Sequence, residues 1–453
     1  MTKVILINPP IYDFSAYDVW LKPLGLLYLS NILKNYNIEV ILLDCLDRNY
    51  FKSIPTKTDG TGKYPYEIVP KPEVLKNIPL KYKRYGISQR TIEELLVCNK
   101  DASFVIVTSS MTYWYLGVKE IIETTKKILP KAKIILGGIY PILLPKHSEK
   151  LFSDKVDLIS KNFSFCEILK YLNLLEGETK YKSFSNFPPP DYTLYKYIWY
   201  VVIRFSYGCL NNCKYCASKS IFAGYEMKST NQIINEITYL YNLTNCENFV
   251  LYDDALLNAK NLHYITELFN KLIRLNLKIK FYTPNGISPR FITKDIAYLM
   301  KQLNFTDPRL SLETISSFTH KLVDNKVNLK DFEKALENLT AAGYKTNEIS
   351  VYLLAGLPNE TIEDVYKSIN LLHKYKVRIR LNEFSLVPRS KIFYELGLSE
   401  EDIDPLLYNN SIFLFNGIPN KVKPWCKFEE LQYLKNYVKN LNEKILNLEN
   451  TYV

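Results

Sequence analysis

Three cysteines fall within eight residues in Arg204-Phe-Ser-Tyr-Gly-Cys209-Leu-Asn-Asn-Cys213-Lys-Tyr215-Cys216, spaced C-x3-C-x2-C. Thiolate is the usual iron–sulfur ligand, and a loop this short can wrap three thiolates around three corners of one iron–sulfur cube. The flanking cysteines, Cys166 and Cys246, lie too far along the chain to supply a local fourth ligand. One iron would therefore stay open for a substrate atom, which is the layout of a catalytic cluster. The competing readings are a zinc site or a disulfide. Structural zinc usually takes four ligands, often as two C-x2-C pairs, and one such pair is present here.

The elements that must position this loop alternate along the chain. The apolar run Tyr200-Val-Val-Ile-Arg-Phe reads as a strand delivering the loop at its C-terminal end. Strand-like segments follow at 249–252, 278–283, 309–313, 350–355 and 380–386, with helices between, so six βα units are expected over 200–395, a number that fits the open partial (β/α)6 barrel implied by the resemblance given below. The first 175 residues alternate in the same way. Strands are expected at 4–8, 39–43, 104–108, 133–136 and 156–159, and helices at 24–35, 117–128 and 167–175. That pattern predicts an α/β, doubly wound parallel sheet. An excursion over 47–100, rich in proline and lysine, interrupts it. Its plain reading is a surface excursion; covering a crevice is the alternative. The prolines of Ser183-Phe-Ser-Asn-Phe-Pro-Pro-Pro-Asp-Tyr192 stop both helix and central strand and put a linker at 176–199. From 396 to 453 the chain reads as a helical C-terminal region, notably 428–448, with no chemical motif.

Composition narrows the function classes. At 453 residues, 47% hydrophobic and 23% charged, the chain fits two or three ordinary globular domains. No apolar run approaches the ~20 residues of a membrane span, and the start Met-Thr-Lys-Val-Ile-Leu-Ile-Asn-Pro-Pro reads as a buried strand. Eight cysteines, five of them scattered singly, are not a secreted disulfide framework; a reducing, cytoplasmic setting is expected. The net charge of +11 is spread along the chain without a dense basic block or nucleic-acid motif, so it reads as a solvated basic surface.

With the cysteine spacing, the loop resembles the cluster loop of the radical S-adenosylmethionine (radical SAM) enzymes, including the aromatic Tyr215 just before the third cysteine. The resemblance implies a 4Fe–4S cluster on Cys209, Cys213 and Cys216, S-adenosylmethionine on the open iron, and its cleavage to a 5′-deoxyadenosyl radical by one electron. It also implies an electron donor, a reductase or a ferredoxin or flavodoxin. The N-terminal half resembles the cobalamin-binding domain of one large branch of that family. The matching stretches are Pro23-Leu-Gly-Leu-Leu-Tyr-Leu29, Thr108-Ser-Ser-Met-Thr-Tyr-Trp-Tyr-Leu-Gly117 and Ile134-Ile-Leu-Gly-Gly-Ile-Tyr-Pro141. Cobalamin would lie beyond the strand ends, at Pro9, Ser109, Ser110, Met111, Gly137 and Gly138. The Asp-x-His-x-x-Gly motif that ligates cobalt elsewhere is absent, as it is from many members of the branch. Tyr113, Trp114 and Tyr115 could instead fill the groove.

At the other strand ends the resemblance points to S-adenosylmethionine contacts at Tyr215, Asp253, Asn285, Glu313 and Gly356. Each has a structural alternative. Asp253, with Asp254, suits a helix N-cap, and only one of two adjacent strand residues can point inward unless the strand has ended. Asn285-Gly286 suits a turn. Glu313 closes the apolar strand Leu310-Ser-Leu-Glu, where an unpaired acid is costly to bury, which favours a ligand role. Gly356, in Ala-Gly-Leu-Pro-Asn-Glu-Thr361, would permit close approach of the adenine. Glu383 and Arg389 flank the sixth strand, with surface roles as the default. The histidines His147, His263, His320 and His373 have no metal-ligand spacing. Cys45, Cys98, Cys166, Cys246 and Cys426 read as small packed residues. The sequence contexts of Cys45 and Cys98 differ from those of the methylthiotransferase branch, which binds a second cluster on three N-terminal cysteines. The function expected is cobalamin-dependent methyl transfer to an unactivated carbon of an unidentified substrate, more readily a small molecule than a macromolecule. The alternatives are a cobalamin-free radical SAM oxidoreductase or cyclase and, in another class, a non-enzymatic iron–sulfur or zinc protein.

Overall fold

The structure is a computed structural model, described here for residues 2–51, 54–174, 181–316, 319, 322, 324, 327–401 and 403–447. Five strands form the N-terminal sheet, all parallel, in the spatial order Leu158–Ile159, Lys133–Leu136, Phe104–Val107, Lys3–Asn8, Glu39–Asp44. Val4, Leu6, Ile106 and Ile135 pack on one face with helices Leu24–Lys34 and Cys166–Tyr171. Ile5, Ile7, Val105, Val107, Ile134 and Leu136 pack on the other with helices Gln89–Val97 and Tyr115–Ile128. Both faces are covered, which explains why these strands read as unbroken apolar runs. The order reverses between Lys3–Asn8 and Phe104–Val107, so the switch point falls beyond Asn8 and Val107.

The second half carries six parallel strands. Val201–Ile203, Asn248–Leu251 and Lys280–Tyr282 form one sheet; Arg309–Glu313, Ser350–Ala355 and Arg378–Glu383 form the next. Parallel bridges Phe281–Phe305 and Ile287–Leu310 join them into one open curve. Helices Thr230–Thr244, Leu262–Arg274, Lys294–Gln302, Leu329–Ala341 and Ile362–Lys374 connect successive strands. Ser229, Asn328 and Thr361 open three of these helices with capping boxes. The sixth strand begins at Arg378, two residues before the expected start.

The 47–100 excursion is more structured than its composition suggests. Lys83–Tyr85 pairs with both Ile11–Asp13 and Tyr66–Ile68, while Tyr17–Asp18 pairs with Gly62–Lys63. Arg48 is buried: its Nε donates to Asp18 Oδ2 at 2.8 Å, and its other nitrogens donate to Thr56 Oγ1 and the Gly60 carbonyl. Tyr200, at the foot of the first barrel strand, donates to Asp18 Oδ1 at 2.7 Å. The excursion therefore welds the N-terminal half to the barrel. Beside it Trp20, 1% exposed, enters the barrel, with its ring 4.9 Å from that of Tyr282 and under the Arg309 guanidinium at 4.7 Å.

The C-terminal helix Phe428–Asn447 packs against the edge strand Arg378–Glu383; position 448 of the expected helix lies outside the described residues. Asn442 treats that edge as a neighbouring strand would, accepting from Ile379 N at 2.8 Å and donating from Nδ2 to Ile379 O at 2.8 Å. Asn442→Ala should cost about 1–3 kcal/mol, read as faster amide hydrogen exchange at Ile379 and a lower Tm. Unchanged exchange would mean that the edge is held by something else.

Candidate active site

The cysteine loop is anchored at its root by the second barrel strand. That strand ends at Leu251, so Asp253 and Asp254 escape strand alternation and both turn to the segment before Cys209. Asp253 accepts from Phe205 N at 3.1 Å, Ser206 N at 2.7 Å and Ser206 Oγ at 2.6 Å. Asp254 Oδ2 accepts from Gly208 N at 3.1 Å and pairs with Arg204 Nη1 at 2.8 Å. Burial pushes the Asp253 carboxyl up to about 6, against the opposing pull of Ser206, the Phe205 amide and Arg204. Gly208 is required here: its φ is +78°, and a Cβ would fall 1.9 Å from the Gly224 carbonyl oxygen.

Beyond Gly208 the loop is tied to two other barrel units. Asn212 N donates to Asp324 Oδ2 at 2.6 Å and Lys214 N to the Leu322 carbonyl at 2.8 Å. Ile392 N donates to the Lys214 carbonyl at 3.0 Å, and Lys214 Nζ lies 2.6 Å from Glu395 Oε1. Cys209 and Cys213 are half-buried, Cys216 is exposed, and none is in a disulfide. The Ser218 amide donates to Cys216 Sγ at 3.4 Å, a contact that favours thiolate. Among the described residues no three His, Cys, Asp or Glu side chains are drawn together as a metal site. The three thiols remain a donor set suited to iron, carried on one short loop. Tyr215 stands beside them: burial, then the negative charges of Glu313, Cys213 and Cys216, push its phenol well above its ordinary range.

Glu313 thus faces the cysteine loop. It ends its strand at φ +67°, where the pairing register shifts after Ser311, a backbone state unusual for a residue with a side chain. Asn285 Nδ2 donates to the carbonyls of Tyr252 and Asp253 at 3.1 and 3.2 Å, stapling the third strand end to the second. Gly356 lies against the C-terminal region: at φ +86°, a Cβ would fall 2.3 Å from Leu414 Cδ2. The close approach that it permits is that of Leu414. Arg389 pairs with Glu400 at 3.0 Å, and Glu383 pairs with Lys435. His147 Nδ1 is 2.6 Å from the Tyr140 hydroxyl, and burial lowers its pKa to about 4. His320 lies outside the described residues.

Glu360 went unnoticed in the sequence, where it reads as an ordinary acid ahead of a helix. It is 6% exposed and ties two strand ends together. Its Oε2 accepts from Gly356 N at 3.1 Å and Leu357 N at 3.3 Å, and its Oε1 from Thr314 Oγ1 at 3.1 Å, next to Glu313. Burial pushes this carboxyl up from 4.5 to about 7. A raised carboxyl contributes stability that is full below the unfolded value and is lost as pH rises through about 7. Glu360→Gln keeps an acceptor for the amides and a donor for Thr314. It should flatten the fall in Tm between about pH 5 and 8 and stabilise the alkaline side by on the order of 2–3 kcal/mol. An unchanged slope would remove Glu360 as its source.

Across from the loop are the strand ends of the N-terminal sheet. Ser109 Oγ donates to the Gly137 carbonyl at 2.9 Å and accepts from Tyr140 N at 3.2 Å. Gly138, at φ +94°, lets Ser109 approach, since a Cβ there would lie 2.4 Å from its backbone. Pro9 is buried, and the adjoining Pro10 carbonyl packs against Gly117. Pro9, Ser109, Gly137 and Gly138 therefore make an interlocked floor. Ser110 is half-buried, and Met111 and Ile139 are 45% and 37% exposed on it. A Cβ on Gly137 would meet only Ile168 Cδ1, at 4.0 Å, so space is open above it. The three bulky aromatics are held by partners elsewhere: Tyr113 donates to Asn410, Trp114 to Asp13 and Tyr115 to Asp404. Helix Ile139–Leu143 packs against Ser218–Ile221, just after Cys216, which brings this floor next to the segment that follows the cysteine loop.

The model of the radical SAM superfamily matches residues 203–372. The ribosomal protein uS12 methylthiotransferase RimO of Clostridium botulinum (strain Eklund 17B / Type B) is 25% identical over 182 residues, covering 39% of this chain and 40% of its own. RimO of Clostridium kluyveri is 25% identical over 334 residues, 70% of this chain and 68% of its own. The chain thus spans about two fifths of the first of these relatives. Among solved structures, the radical S-adenosylmethionine methyltransferase TsrM of Kitasatospora setae, with cobalamin and a 4Fe–4S cluster bound, superposes at a TM-score of 0.63 and 15% identity, covering 93% of this chain and 87% of that one. The cobalamin-dependent radical enzyme OxsB, with aqua-cobalamin and S-adenosylmethionine bound, gives 0.57 at 13% identity, covering 97% and 61%. At these identities the likeness is one of fold, and it extends over both halves of the chain.

Proposed function

We propose that the chain, whose residues 203–372 match the radical SAM superfamily, is an enzyme of that superfamily and uses cobalamin to methylate an unactivated carbon of a small molecule. In this reading Cys209, Cys213 and Cys216 hold a 4Fe–4S cluster, with S-adenosylmethionine beside Tyr215 and Glu313. Cobalamin lies on the floor made by Pro9, Ser109, Ser110, Met111, Gly137 and Gly138. The observation that carries it is an adjacency: a loop of three thiols outside any disulfide lies next to a switch-point floor with space above Gly137. The cluster and S-adenosylmethionine, when bound, supply one-electron hydrogen abstraction, and cobalamin supplies the methyl group.

The chain's own residues bind and orient. Asp253 and Asp254 hold the loop root so that the thiols can close on iron without moving the strand. Glu313 offers a carboxylate for an amino or hydroxyl group. Asn285 and Gly356, expected to contact S-adenosylmethionine, also place backbone here, since the amide of one serves Tyr252 and Asp253 and the other abuts Leu414. Cobalt would be held without a protein imidazole, because His147 is turned to Tyr140. The reducing electron comes from a separate reductase, ferredoxin or flavodoxin.

A second reading, methylthio transfer, has the RimO relatives in its favour. It requires another cluster on N-terminal cysteines. Cys45 is fully buried just after the second strand, Cys98 is exposed at the end of helix Gln89–Val97, and Cys166 starts helix Cys166–Tyr171. Three cysteines fixed on separate elements are poorly disposed to gather, unlike three on one loop.

Anaerobic reconstitution with iron, sulfide and hydroxocobalamin tests this. About four irons and about one cobalt per chain are expected, and Cys213→Ala should abolish both the cluster and 5′-deoxyadenosine formation. About eight irons would favour methylthio transfer. Iron without cobalt would remove the methyl-transfer reading, and cleavage surviving in Cys213→Ala would overturn the cluster assignment.

A further inference from the structure

A second group of charges lies inside the barrel, below the strand ends. Asp307, just before the fourth strand, accepts from Arg378 Nη2 at 2.7 Å, Arg380 Nη2 at 2.5 Å and Arg309 Nε at 3.0 Å. Arg309 also donates to the Tyr352 hydroxyl at 3.0 Å and lies over Trp20. Three guanidiniums thus share one carboxylate. The nearby Glu348 carboxylate is itself paired with Lys301 at 3.5 Å. The Nε atoms of Arg378 and Arg380 are buried without a hydrogen-bond partner, while their side chains remain 26% and 36% open to solvent. A buried N–H on a cation is costly to leave unmade. The Arg378 guanidinium is pushed below its ordinary range by burial, and Arg380 and Arg309 push it further down against Asp307.

Sequence alternation places these groups on the inner surface. Ile379 belongs to the core under the outer helices, whereas Arg378 and Arg380 join Arg309, Tyr352 and Trp20. We propose that Arg378 and Arg380, backed by Arg309, bind an anionic group of the substrate, a carboxylate or a phosphate, inside the barrel. Guanidinium forks suit both groups. This rests on the enzymatic reading above and adds a substrate class to it. Arg380 is three residues below Glu383 and Arg378 five, and strands rise about 3.3 Å per residue. The anion would therefore sit about 10–16 Å below the strand ends where Glu313 and the cysteine loop stand. The substrate is an elongated small molecule with its charge at one end and its reacting carbon at the other.

The test needs no cluster: calorimetric titration of the full chain, as purified, with inorganic phosphate and separately with succinate. One of the two should bind saturably, and the one that does identifies the source of the anion. Arg380→Gln should weaken it at least about tenfold, the size of one charge-assisted hydrogen bond. Arg380→Lys, which keeps the charge that balances Asp307, covers the case in which the Gln variant fails to fold, and should weaken binding by losing the fork. An exposed control, Lys334→Gln, should leave it unchanged. No saturable binding, or binding that neither Arg380 variant alters, would overturn the proposal and make the cluster a strap across the last three strands. Because the measurement is made without iron, its failure is separable from failure of the radical chemistry.

Discussion

The grip of two carboxylates on four residues, three of them through backbone amides, is the constraint from which the site follows. Asp253 and Asp254 together engage positions 204, 205, 206 and 208 immediately before Cys209. A buried carboxylate is tolerated only when donors surround it, and Asp253 has three. The grip fixes where the cysteine loop starts and leaves 209–216 to conform to what it binds. Contacts from 322, 324, 392 and 395 then tie the same loop to two other barrel units. Four of the six strands thereby report on the loop's position.

The two halves of the molecule are joined by tyrosines. Tyr195 donates to Asp44, Tyr200 to Asp18 and Tyr252 to the Trp20 carbonyl, each across the seam. An aromatic with a hydroxyl buries apolar area and still satisfies a polar partner, which gives structural meaning to part of a content of 36 tyrosines. The seam sets the N-terminal floor opposite the cysteine loop. Trp20, whose indole donates to the Asp59 carbonyl, lies at the other end, under the Arg309 guanidinium. Arg378 and Arg380, near that end, keep part of their side chains open to solvent.

Much of this was legible in the sequence. Strand and helix periodicity located all five N-terminal strands and the six of the barrel, because each buries a regular apolar face. The cysteine loop stands out in the sequence because its three thiols fall within one short stretch. What failed were the contacts between residues far apart in the chain. Whether Asp253 and Asp254 could both turn inward depended on where their strand ends, which is set by pairing with neighbouring strands and falls at Leu251. The packing of Leu414, from a region without motifs, against Gly356 was not legible either. Glu360 looked like a helix-start acid, and nothing local distinguishes such a residue from one that reaches back to two amides and a threonine. The 47–100 excursion looked like surface because its buried ion pair, Arg48 with Asp18, joins two segments that are each polar alone.

The central claim is that the three-cysteine loop holds a cluster with one iron open to S-adenosylmethionine. Electron paramagnetic resonance of the reduced, reconstituted chain, recorded with and without S-adenosylmethionine, tests it most directly. A signal of a reduced 4Fe–4S cluster whose g-values shift when S-adenosylmethionine is added is the result predicted. A cluster signal indifferent to S-adenosylmethionine, or a loop that takes up zinc and gives no signal, would contradict it.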